Sequence, residues 1–96
     1  MTTATKFLQD AAATLTERGQ TYGRSEGKGK GERNMGATVT AFNAITRRDL
    51  TEAEGWLLLQ LLKDVRQWSA TEFHHDSALD CVAFASLKAE ALAAGR

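Results

Sequence analysis

The run Thr51-Glu-Ala-Glu54, followed by an apolar segment from Trp56 to Trp68, constrains this chain more than any other feature. A threonine hydroxyl and a glutamate carboxylate three residues apart satisfy opposite orphan amides at a helix start, the capping box. Behind it the apolar residues recur at helical spacing, which predicts a helix opening at Thr51 and running to about Trp68. Three further stretches share that periodicity. From about Thr5 to Arg18, Phe7, Leu8, Ala11, Ala12 and Leu15 form one stripe, with Gly19 as a C-terminal stop. From about Asn34 to Thr46, Met35, Val39, Phe42 and Ile45 align behind Asn34 as N-cap, although Thr38, Val39 and Thr40 are mediocre helix formers. The last stretch, from Asp76 or Ser77 to about Ala94, ends at Gly95 and is apolar almost all round.

The fold expected is all-α, an antiparallel bundle of about four helices forming a single domain over residues 1–96, with a Gly-rich loop at about 19–33. A helix apolar all round must be covered on more than one side. Four helices of this length bury too little to do so alone, so a homo-oligomer, dimer or higher, is expected.

Composition narrows the function classes. Apolar residues make up 43% and charged residues 25%, with no proline, which is the profile of a globular chain. Twelve basic residues balance twelve acidic ones, so the broad positive field that drives non-specific nucleic-acid binding is missing and nucleic acid is not an expected partner. The single cysteine, Cys81, rules out an internal disulfide and fits a reducing compartment. Apolar runs such as Trp56 to Leu59 are far too short to cross a membrane, and the first residues have no apolar signal core. A cytoplasmic location is expected, without membrane association.

Charges in unusual places mark the candidate site. At about 100° per residue, Leu58, Leu61, Leu62 and Val65 form the centre of the third helix's apolar face. Gln60, Asp64 and Gln67 fall opposite. Arg66 lies inside the apolar arc and Lys63 at its border, while in the fourth helix Asp80 sits among Ala83, Phe84, Leu87 and Ala91. An unpaired charge at such a position costs several kcal/mol, so each needs a partner, a ligand or water. The economical expectation pairs Arg66 with Asp80, either as a register-fixing salt bridge or as the wall of an anion pocket.

Six of the eight glycines fall between Gly19 and Gly36, interleaved with Arg24, Lys28, Lys30 and Arg33. This segment reads as a solvated linker or as a flap over a phosphate-bearing ligand, and it is no Walker or dinucleotide fingerprint. His74-His75-Asp76 has no metal-ligand spacing and reads as a helix cap, from Asp76 or Ser77, with surface histidines.

The segments Gly31-Glu-Arg-Asn-Met-Gly-Ala-Thr-Val-Thr-Ala-Phe-Asn-Ala-Ile-Thr46, Leu50-Thr-Glu-Ala-Glu-Gly-Trp56, Leu62-Lys-Asp-Val-Arg66 and Asp76-Ser-Ala-Leu-Asp80 resemble a family of small phage and prophage proteins of unknown function. Ala83-Phe84-Ala85 and Glu17-Arg-Gly-Gln-Thr-Tyr-Gly23 extend the likeness over nearly the whole chain. Its wider relatives resemble the all-α nucleoside triphosphate pyrophosphohydrolases of the MazG type, oligomeric bundles in which ExxE and ExxD pairs hold magnesium. Aligned on that pattern, the second pair falls on Ser77 and Asp80, so only its aspartate survives. The first falls at Lys63 and Arg66, where both positions are basic. Magnesium needs carboxylate oxygens, and exchanging them for cations replaces a metal cage with a direct phosphate clamp.

The leading expectation is therefore a phage accessory protein that sequesters a nucleotide-derived signalling molecule without catalysis or cofactor. Lys63, Arg66 and Asp80 would form its pocket, Tyr22, Trp56 or Phe42 would stack on a base, and Lys28, Lys30, Arg33 and Asn34 would approach the phosphates. Core packing is the commoner role for such aromatics. Two alternatives remain: a Mg2+-dependent pyrophosphohydrolase using Glu52, Glu54, Asp76 and Asp80, and a protein-binding inhibitor of a host enzyme anchored by Trp56, Trp68 or Phe73.

Overall fold

The computed structural model describes residues 2–23 and 34–96. These residues form four helices and no strand: α1 (Ala4–Gly23), α2 (Met35–Thr46), α3 (Glu52–Ser69) and α4 (His75–Ala93). The all-α expectation holds, and none of these helices is long and apolar enough to cross a membrane. One boundary is corrected. Helix α1 runs through Gly19 to Gly23, because a single interior glycine costs only about 1 kcal/mol and does not by itself end a helix. The stretch from 24 to 33 lies outside the described residues, and with it most of the expected loop.

Local chemistry sets the helix ends. The capping box forms as expected: the Glu54 amide donates to Thr51 Oγ1 at 3.1 Å, and the Thr51 amide donates to Glu54 Oε1 at 2.8 Å. Another first-turn amide of α3, that of Ala53, donates to the Arg96 carbonyl at 3.0 Å. Asn34 stands at the α2 cap position, but its side chain makes no cap hydrogen bond. The cap of α4 is neither Asp76 nor Ser77 but His74, whose ring Nδ1 accepts from the Ser77 amide at 3.3 Å. Gly95, at φ 76°, closes α4 in a Schellman turn, with the Arg96 amide donating to Ala91 O and the Gly95 amide to Leu92 O.

Two amide side chains shape the connections. Asn43 brackets Leu50, donating from Nδ2 to its carbonyl at 2.9 Å and accepting at Oδ1 from its amide at 2.8 Å, which fixes the turn from α2 to α3. Gln67 donates to Glu72 O and accepts from the His74 amide at 2.7 Å, which holds the turn from α3 to α4.

Helices α3 and α4 are antiparallel, as the partner pairs Ala53–Arg96, Trp56–Phe84, Lys63–Asp80 and Gln67–His74 show. Trp56 stacks on Phe84 at the centre, centroids 5.8 Å apart, with Met35, Val39, Ala53, Leu87 and Ala91 around them. Helix α1 packs on α4, burying Ala11 and setting Phe7 against Phe73 and His75. Helix α4 is thus packed on two sides, by α3 and α1 of its own chain, while Leu92 near its end is exposed. Helix α2 packs on α3, where Met35 and Val39 meet Gly55.

The main departure is the orientation of α3. Its expected apolar face is turned outward: Leu58 is 55% exposed, Leu61 46%, Leu62 45% and Val65 61%. Gln60, Lys63, Asp64 and Gln67 are instead partly buried, the first three of them with Trp56 towards α4. Helix α4 presents Ser77, Asp80 and Cys81 on the facing side, so polar groups on α3 find partners there that leucines would not.

Candidate functional site

The polar seam between α3 and α4 gathers the chemistry-bearing side chains of the described chain. Lys63 Nζ and Asp80 Oδ2 lie 2.9 Å apart, with side chains only 17% and 23% exposed. The antiparallel pairing puts Lys63 opposite Asp80 because both project from the helix faces that Trp56 and Phe84 bring together. Arg66, the expected partner of Asp80, is exposed beside the outward leucines. The wheel placed Arg66 correctly among the leucines, but that arc faces away from α4, so the pairing is corrected to Lys63–Asp80.

Cys81 lies beside this ion pair. Its thiol donates to Asp64 Oδ1 at 3.2 Å and approaches the Gln60 carbonyl at 3.4 Å. Burial, and then the hydrogen bond and charge of Asp64, push its pKa up to about 11, with Asp80 adding to the rise and Lys63 opposing it. Such a thiol stays protonated at neutral pH and is no nucleophile. One turn earlier Ser77, the most buried polar residue at 1% exposure, lies 2.6 Å from His74 Nδ1 through its hydroxyl. This serine–histidine contact belongs to the helix cap. Gln60 Oε1 is buried without a hydrogen-bond partner among the described residues, an acceptor that normally finds one.

The other expected site residues are scattered. Trp56, 3% exposed, is committed to its stack on Phe84, and its expected role as a base platform is corrected to core packing. Asn34 is exposed at the start of α2. Tyr22 lies in the last turn of α1, and Lys28, Lys30 and Arg33 fall outside the described residues. Of the aromatics named as protein anchors, Trp68 is 85% and Phe73 64% exposed. Among the described residues, shallow apolar depressions are bordered by Phe7 and Val82, by Leu57 and Leu92, and by Val39 and Leu58, and none of these is lined by Lys63, Arg66 or Asp80.

Sequence reasoning missed Gln60, Asp64, Ser77 and Cys81 as members of the seam. Their only signal was spacing: Gln60, Lys63, Asp64 and Gln67 share a face with Trp56, the residue most suited to a core. Among the described residues no group of three or more His, Cys, Asp or Glu side chains is arranged to hold a metal ion. No family model, curated protein or solved structure matches the chain. What it does has to be read from its own side chains.

Proposed function

We propose that this chain is a non-catalytic binding protein for a phosphate-bearing, nucleotide-type small molecule, recognised through Lys63 and Arg66 and oriented by Asp80. The carrying observation is the half-buried Lys63–Asp80 pair. An ammonium withdrawn from water and held by one carboxylate is a charge in reserve. A phosphate group, more highly charged than a carboxylate, competes for it at little added desolvation cost. Arg66 projects into solvent one turn further along α3, a second cation that can reach anionic oxygens from outside.

The same arrangement argues against magnesium-dependent cleavage. Asp64 and Asp80 are both at the seam, but one receives the Cys81 thiol and the other the Lys63 ammonium. A metal bridging them would have to displace both. In the phage setting implied by the family resemblance, such a protein works in the host cytoplasm, as a homo-oligomeric helical bundle that removes a nucleotide-derived defence signal.

Titration calorimetry against a panel of mononucleotides, cyclic oligonucleotides and ADP-ribose tests this reading. One member should bind, and Lys63→Ala and Arg66→Ala should each weaken it by about 1.5–3 kcal/mol, roughly tenfold or more in Kd. No binding across the panel, or release of pyrophosphate from a nucleoside triphosphate in the presence of magnesium, overturns it.

A further inference from the structure

We propose that two copies of this chain associate through the outward stripe of α3, antiparallel about a two-fold axis passing midway between Leu61 and Leu62. The stripe carries Leu57, Leu58, Leu61, Leu62, Val65 and Trp68, between 39% and 85% exposed. Six large apolar side chains contiguous on one helix face form the kind of exposed patch that marks an interaction surface rather than the scattered single residues of an ordinary monomer. Phe42 and Ile45 of α2, both exposed, add to it at the flank.

The pattern selects a second copy as the occupant. An isologous interface must be self-complementary, so each residue needs an acceptable mate at its symmetry-related level. Positions 58, 61, 62 and 65 read the same from either end. Antiparallel pairing therefore sets Leu61 against the partner's Leu62, and Leu58 against the partner's Val65. Leu57 and Trp68 lie on the same edge of the stripe, so Trp68, the most exposed of the group, covers the partner's Leu57.

Charge selects the direction. Glu52 and Glu54 occupy the first turn of α3 and Arg66 the last. Antiparallel helices about this axis set Arg66 level with the partner's Leu57, about one turn from its Glu54, whereas parallel helices would stack like charge on like. Knob spacing of this kind suits two helices at a shallow crossing angle.

Lys63 and Asp80 of the ligand reading face α4 and stay clear of the stripe, while Arg66 borders it. Sedimentation equilibrium of the purified chain should return twice the monomer mass. Leu61→Glu should halve it while leaving the far-UV circular dichroism unchanged. The register has its own test. Leu58→Cys/Val65→Cys should form an interchain disulfide under mild oxidation, since two positions seven apart on one helix are too distant to bridge. A monomer for the pure wild-type chain, with or without another protein captured on the stripe, overturns the proposal. So does an oligomer that Leu61→Glu leaves intact, or failure of the double cysteine variant to cross-link.

Discussion

Cys81 shows how much one carboxylate sets the chemistry of a neighbour. With burial, and then Asp64, raising its pKa to about 11, the thiol is protonated throughout the neutral range. Alkylation by iodoacetamide should be slow at pH 7 and accelerate only in the alkaline range. Asp64→Asn should speed it, because the nearest negative charge is gone while the burial remains. A rate unchanged by the substitution would show that access alone limits the reaction. Stability follows the same linkage. A folded-state pKa above the unfolded value of 9.0 stabilises the fold fully below about pH 9, and that contribution is lost as pH rises through about 11. At Lys63 and Asp80 the residue types were read correctly as charges needing partners, but their pairing was not. Pairing depends on which face of α3 meets α4, and a helical wheel shows the faces without saying which one turns inward.

At the level of the helix, Gly55 has a specific reason to lack a side chain. A Cβ there would run into Met35 Sδ and come 3.0 Å from Val39 Cγ2, so the glycine sets how closely α2 approaches α3. Gly55→Ala should gain about 1 kcal/mol of helix propensity and lose about 1–3 kcal/mol to overpacking. A net loss in chemical denaturation is expected, and a net gain would mean that α2 adjusts freely. The elements themselves were legible where short-range chemistry decides them. The capping box at Thr51 and the stop at Gly95 appeared as read, because each depends on residues within one turn. The stop expected at Gly19 did not, because a glycine ends a helix only where a left-handed turn has something to gain. The brackets made by Asn43 and Gln67 were invisible in the sequence, since each joins groups five or seven residues apart through a turn whose shape was unknown.

At the scale of the molecule, four of the nine buried apolar residues among those described are alanines, at positions 11, 53, 83 and 91, while eleven large apolar residues are exposed. One copy by itself therefore withdraws little apolar surface from water, and small cores are marginal. If α3 pairs as proposed, thermal stability is coupled to association, and Tm should climb with protein concentration. Leu61→Glu should melt lower than the wild type and at a temperature independent of concentration. A wild-type Tm that is flat across a hundredfold dilution, roughly the range in which mass action is visible, would argue that the single chain is self-sufficient. The sequence reading expected an oligomer on different grounds from those that the exposed face of α3 supplies. Helix α4 was judged to need covering, whereas α1 and α3 pack on two of its sides and the exposed apolar stripe lies on α3.

Lining the inner contact with alanine and serine also reverses the usual ranking of which positions tolerate change. Ser77, Ala83 and Ala91 are all buried, and in a close-packed interior even one added methylene is felt, so the smallest side chains are the least replaceable. The bulky outer leucines, by contrast, can drift among Met, Ile and Val as long as their neighbour across the axis drifts with them. Sequence divergence in such a protein would run fastest through its most hydrophobic letters and slowest through its plainest ones.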